Sequence, residues 1–212
     1  MEEKGFVVNT QIGDGDVAEV RPPEKTSKKQ ELFEWLDVVA TALVAVVIIF
    51  GVCFRVATIS GDSMLNTLHD GERVVISNFA YTPKQGDIVV VSRNINNTVG
   101  GVTTDEGPII KRVIATENQT VDIDFETGTV YVDGVALKED YISTPTTNKQ
   151  DVEFPVIVPK GCIFVLGDNR AVSLDSRFKQ IGNDGMIDAR YVLGHAVFRI
   201  FPFDKFGRLD NK

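Results

Sequence analysis

One stretch of the chain is apolar at every position. Val38 to Phe54 reads VVATALVAVVIIFGVCF, with no charge inside it. A bilayer-spanning helix needs about 20 such residues and accepts about 17. Trp35 and Leu36 extend the run, and a tryptophan there suits the membrane interface. A helix apolar on all faces needs hydrocarbon or a large core around it. A cleaved leader fits poorly, because a long polar segment comes first. The pattern therefore predicts one transmembrane helix over 36–54. Arg21, Lys25, Lys28 and Lys29 precede it, and Arg55 and Arg73 follow. That bias predicts an N-terminus inside and a C-terminal domain outside. Residues 1–35 read as a cytoplasmic tail, largely disordered. Its GDGD at 13–16 lacks the later ligands of a calcium loop.

Beyond the helix the pattern changes. Short Val- and Ile-rich runs alternate with turn residues: Arg73–Ser77, Asp87–Ser92, Pro108–Ala115, Thr120–Ile123, Thr129–Val132, Cys162–Leu166 and Val192–Phe198. Gly, Pro, Asn or Asp bound several of them, the texture of many short strands. Val130 to Val135 reads as a hairpin turning at Asp133-Gly134. No amphipathic helix of convincing length intervenes. Residues 55–212 are thus predicted to be one extracytoplasmic, mainly β domain, an antiparallel sheet or barrel. Residues 93–106 and 143–151 read as polar loops.

Composition narrows the function. A formal net charge of -8 excludes a nucleic-acid partner, which would need clustered Lys and Arg. Cys53 falls inside the span and Cys162 in the domain, so they are not expected to pair. Without a CxxC or a Cys/His cluster, neither a disulfide framework nor a zinc site is indicated, and no cofactor or metal is expected. His69 and His195 are the two histidines. Neither has a local sequence that supports a Ser-His-Asp triad, and both read as structural or surface residues.

A serine nucleophile needs a base, which can be a neutral lysine. An exposed lysine has a pKa of ~10.4, and lowering it by ~3 units corresponds to ~4 kcal/mol against the ammonium form. Burial in an apolar site does this. Lys111 lies in Pro108-Ile109-Ile110-Lys111-Arg112-Val113-Ile114, where alternation puts Ile109, Lys111 and Val113 on one face. Arg112 should point the other way, solvated or ion-paired. A serine candidate lies in Ser60-Gly61-Asp62-Ser63-Met64-Leu65-Asn66-Thr67-Leu68, where Gly61 frees the backbone to turn. A third segment, Gly167 to Arg177, is dense in short polar side chains that can orient buried groups. Taken singly, each could be a surface lysine, a loop hydroxyl or a solvated turn.

Together, in this order behind one apolar helix, the segments resemble the type I signal peptidases. Ser60 to Leu68 is similar to the nucleophile motif, Gly86-Asp87-Ile88-Val89-Val90 to the next block, Lys111 to Ile114 to the lysine block, and Gly167 to Arg177 to the last. The resemblance implies a β domain of two antiparallel sheets. It implies that a Ser-Lys endopeptidase removes signal peptides, with Ser63 as nucleophile and Lys111 as general base. The Ser63 N–H would donate to the oxyanion. Ser173 would hydrogen-bond and orient the lysine. Asp175 and Arg177 would form a supporting ion pair, and Asp168 a further structural carboxylate. Ala57, Ile59, Met64, Leu68 and Ile110 would line shallow apolar pockets for small substrate side chains. Implied partners are secretory precursors, membrane lipid and the export machinery.

The sequence departs from the family pattern at three places. Gly61 stands where some members carry a second oxyanion hydroxyl. Asn66 replaces the usual proline, so the turn after Ser63 is expected to be looser. Ala115 to Gln119 replaces a Gly and Pro-Gly-Asp turn. Two rival readings fit the sequence less well. A catalytically silent assembly factor would lack the serine or the lysine, and both are present. A self-cleaving Ser-Lys regulator would be cytosolic, against the apolar helix.

Overall fold

The computed structural model describes residues 28–92, 98–99, 102–103 and 107–209. The GDGD segment and most of the expected tail lie outside them. Helix α1 runs Lys28–Cys53, and none of its residues is buried in the isolated chain. It begins before the apolar run. Lys28 to Glu31 are good helix formers, so the last residues assigned to the tail are helical. The expected end at Phe54 moves to Cys53, because Phe54 already pairs with Ser77 in a sheet.

The chain divides into two units, 1–45 and 46–212. The second is almost wholly β. In chain order its strands are β1 (Phe54–Thr58), β2 (Arg73–Ser77), β3 (Ile88–Val91), β4 (Thr98–Val99), β5 (Val102–Thr103), β6 (Ile109–Thr116) and β7 (Thr120–Asp124). There follow β8 (Thr129–Val132), β9 (Val135–Ala136), β10 (Val156–Ile157), β11 (Cys162–Leu166), β12 (Ile187–Asp188), β13 (Val192–Phe201) and β14 (Gly207–Arg208). The main sheet runs β1-β2-β13-β3-β6-β11-β12, with β14 also on β13. A smaller sheet runs β10-β7-β8-β9, and β4 pairs with β5. Every pairing is antiparallel. All seven runs marked as strands from the sequence are strands, offset at their ends by up to three residues.

The turns follow their residues. Asp133 and Gly134 both take positive φ, at 52° and 78°, the twisted two-residue hairpin read from Asp-Gly. The departure at 115–119 is a closed turn. Asn118 adopts φ 67°, a region asparagine tolerates, and Gln119 Oε1 accepts from Thr116 N at 2.9 Å. Strand β6 is buried on both faces. Ile109 and Val113 pack with Val89 and Val91, whereas Ile110 packs with Ile59, Met64 and Leu68. The 2-residue alternation holds over 109–113, and Ile114 and Ala115 join a third cluster with Phe164 and Leu166, so three cores meet β6.

Candidate active site

The Ser63 segment connects β1 to β2. Gly61 holds φ 84°, a region that a side-chain-bearing residue adopts only under strain, and its N–H donates to Asp70 Oδ1 at 2.8 Å. That backbone requirement accounts for the missing hydroxyl at this position. The loop then closes a turn, Leu65 N to Asp62 O at 3.3 Å and Leu68 N to Met64 O at 2.8 Å. The Leu65–Asn66 peptide is cis. The looser turn expected without the proline is not what the structure has. Met64 and Leu68 are fully buried and pin the turn to the core.

Lys111 enters from β6 and is 3% exposed. Its Nζ lies 2.7 Å from Ser63 Oγ, although the residues are 48 apart in sequence. Nζ also donates to the Ile110 carbonyl at 2.9 Å. Both residues line a cleft of about 780 Å³. Arg55 to Asp62 form one wall, with Ile76, Val90 and Leu193 behind them. Pro108, Ile109 and Ile110 form another, and Asn169, Val172 and Leu174 complete it. Neither histidine is there. His195 stacks on Tyr81 at 4.1 Å, and half-exposed His69 faces Glu72 at 3.5 Å.

The segment Gly167 to Arg177 is the frame. Asn169 N donates to the Ser63 carbonyl at 3.0 Å, and Asn169 Nδ2 to the Asp62 carbonyl at 3.1 Å. Gly167 is a close-approach glycine, since a Cβ there would collide with Ser173 Oγ and the Ser63 carbonyl. Asp175 and Arg177 form a wholly buried bidentate pair, Nε to Oδ1 at 2.9 Å and an Nη to Oδ2 at 3.0 Å. Asp175 also accepts from Gly167 N at 3.1 Å, which ties the pair to the cleft. Asp168 pairs with Arg112 at 2.7 and 2.9 Å and accepts from the Thr67 hydroxyl. Arg112 is thus ion-paired rather than solvated, and its guanidinium lies 3.9 Å from the Tyr141 ring centre.

Some expected positions fall differently. Ser173 Oγ is buried beside Gly167 without a hydrogen-bond partner, so the bond to Lys111 that the resemblance implied is not formed here. The amine turns to the Ile110 carbonyl instead. Ala57, Ile59 and Ile110 line the cleft. Met64 and Leu68 lie beneath it at 0% exposure, as core. Several contributors were invisible in the sequence. Ile76, Val90 and Leu193 read as ordinary strand residues. Tyr141, Glu139 and Thr146 belong to stretches without a motif, yet Glu139 and Thr146 neutralise and bind buried Arg170. Burial beside Glu139 pushes the Tyr141 phenol above its ordinary range.

An apolar cleft beside the edge strand of a sheet, with a serine hydroxyl in reach of a buried amine, has the makings of a serine endopeptidase. Comparison with known proteins supplies the family. The model described as signal peptidase, peptidase S26, matches residues 32–201. Signal peptidase I of Bacillus licheniformis is 34% identical over 200 residues, covering 88% of this chain and 98% of that protein. Probable signal peptidase I-1 of Synechocystis is 38% identical over 157 residues, covering 72% and 74%. A solved signal peptidase I from Enterococcus faecalis aligns at 27% identity and a TM-score of 0.38, covering 54% of this chain and 97% of that one. The chain belongs to the signal peptidase family, peptidase S26.

Proposed function

We propose that this protein is a membrane-anchored signal peptidase in which Ser63 attacks the scissile carbonyl and Lys111 is the general base. The observation that carries the reading is the 2.7 Å approach of a buried lysine amine to a serine hydroxyl on the wall of an apolar cleft. A neutral amine has one lone pair. With one N–H committed to the Ile110 carbonyl, the amine is held in place to receive the Ser63 proton. Burial supports the neutral form, because removing an ammonium from water is costly. The Ser63 main-chain N–H is the proposed oxyanion donor. Lys111 then returns its proton to the leaving amine, and water hydrolyses the acyl-enzyme. Metal or cofactor chemistry has no step in this scheme.

Strand β1 ends the main sheet, and its residues line the cleft. An extended substrate can lie along that edge with main-chain hydrogen bonds, its alternate side chains facing the apolar wall. Ala57, Ile59 and Ile110 leave room for small side chains, which favours precursors with small residues before the cut. Helix α1 is the proposed single span, with the β unit on the extracytoplasmic side. Residues 1–35, 36–53 and 54–212 are then tail, anchor and catalytic domain. Secretory precursors and lipid are its partners, and the export machinery a neighbour.

The test is reconstitution in liposomes with a secretory precursor. The parent should release a mature chain whose new N-terminus follows a small residue. Ser63→Ala should release none. Intact precursor with the parent, or a mature chain from Ser63→Ala, would refute the proposal.

A further inference from the structure

Outside the two site loops, one buried polar cluster reaches the nucleophile segment from behind. Arg199 lies on the central strand β13, where it is opposite Val74 of β2. One of its Nη atoms donates to the Thr67 carbonyl at 2.7 Å. Its Nε lies 3.2 Å from Glu72 Oε2. Glu72, 3% exposed, also faces Lys205 at 3.3 Å and His69 at 3.5 Å. Glu72 Oε2 and Arg199 Nε are buried and make no hydrogen bond. Arg199 instead donates from its other Nη to Glu72 Oε1 at 3.4 Å, and the directed bond from this cluster into the site loop is the one to Thr67. A charge-assisted bond of this kind is about twice as strong as a neutral one.

Thr67 is held from two directions. Arg199 takes its carbonyl, and its hydroxyl donates to Asp168, which pairs with Arg112 next to Lys111. Thr67 belongs to the turn closed by Leu68 N on the Met64 carbonyl, which follows Ser63 directly. We propose that Arg199, neutralised by Glu72, is a positioning residue for the peptidase reaction, fixing through the Thr67 carbonyl the turn that sets Ser63 Oγ against Lys111. The inference rests on the Ser63–Lys111 reading and adds a role that neither site loop contains. Its reason is geometric. Small misplacements of a reacting group cost rate disproportionately, and an error of 1 Å can cost about a hundredfold.

The experiment uses the full chain in detergent and a soluble peptide carrying an Ala-x-Ala cleavage sequence. Arg199→Met should lower kcat about tenfold or more with KM within about twofold, since the substrate wall is untouched. Arg199→Lys should recover part of kcat, because one cationic donor remains. Lys205→Ala should stay within about twofold of the parent, because its amine bonds Glu72 and not the Thr67 carbonyl. The double variant Glu72→Gln/Arg199→Met removes the stranded carboxylate and should show a kcat loss no greater than Arg199→Met. It also serves if the single variant does not fold. A parental kcat in the folded Arg199→Met or double variant would overturn the proposal. So would a Lys variant no better than Met, or a Lys205→Ala loss as large as that of Arg199→Met. Ser63→Ala is run alongside. Its inactivity together with a parental Arg199→Met overturns this inference alone, whereas its activity overturns the dyad as well.

Discussion

Lys111 shows how far one residue can be read. Its aliphatic neighbours made it a candidate for burial, although a surface lysine fits the same run, and it is buried at 3% exposure. What its neighbours could not mark is the Ile110 carbonyl as the group that holds the amine. A backbone acceptor leaves no trace in residue type. Ser173 is the converse case, since its type matched a role whose hydrogen bond the structure does not form. Gly167 gives a sharp prediction at this scale. A methyl group there meets Ser173 Oγ and the Ser63 carbonyl. Gly167→Ala should therefore displace the Ser63 loop and lower kcat by about a hundredfold, measured on the folded fraction of a soluble-peptide assay. A kcat within twofold of the parent would mean that the loop yields without cost.

At the level of elements, the strands were legible because a buried β domain writes Val and Ile runs between turn residues. The Asp133-Gly134 hairpin was legible for the same local reason. The support of the site was not. Arg170 depends on Glu139 and Thr146, which are 31 and 24 residues away, and long-range pairs of this kind carry no periodic signal. The Asp175–Arg177 pair makes a stability prediction. Arg177→Met leaves a buried carboxylate uncompensated and should cost about 3–5 kcal/mol in urea unfolding. The double variant Asp175→Asn/Arg177→Met should cost less than the sum of the single changes. A loss below 1 kcal/mol for Arg177→Met would show that the pair is dispensable. The β7–β8 turn gives a pH prediction. Hydrogen bonds from the Thr127 hydroxyl and from the Glu126 and Thr127 amides hold the Asp124 carboxyl below its ordinary range. A lowered pKa gives stability that is present above the unfolded value and lost as pH falls through the folded one. The melting-temperature gap between parent and Asp124→Asn should therefore be largest near neutrality and close in acid. A constant gap would remove the linkage.

For the whole molecule, the connection between anchor and chemistry is short. Strand β1 begins at Phe54, the residue after helix α1 ends, so residues 54–58 are strand rather than free linker. Ser63 follows Phe54 by nine residues, at most ~30 Å of extended chain. If α1 is the anchor proposed above, that length limits how far Ser63 can lie from the end of the span. A flexible insert between Cys53 and Phe54 should slow processing of a membrane-held precursor more than cleavage of a soluble peptide, compared by initial rates. Equal loss on both would deny the positional role. The central claim is chemical and has a direct measurement: kcat/KM for one soluble signal-sequence peptide as pH is raised, for the parent, Ser63→Ala and Lys111→Met. The parent rate should rise as a single group loses its proton. Both variants should fall by about a thousandfold while keeping the parent's melting temperature. A Lys111→Met enzyme within tenfold of the parent, still showing the same rise with pH, would mean that another group is the base.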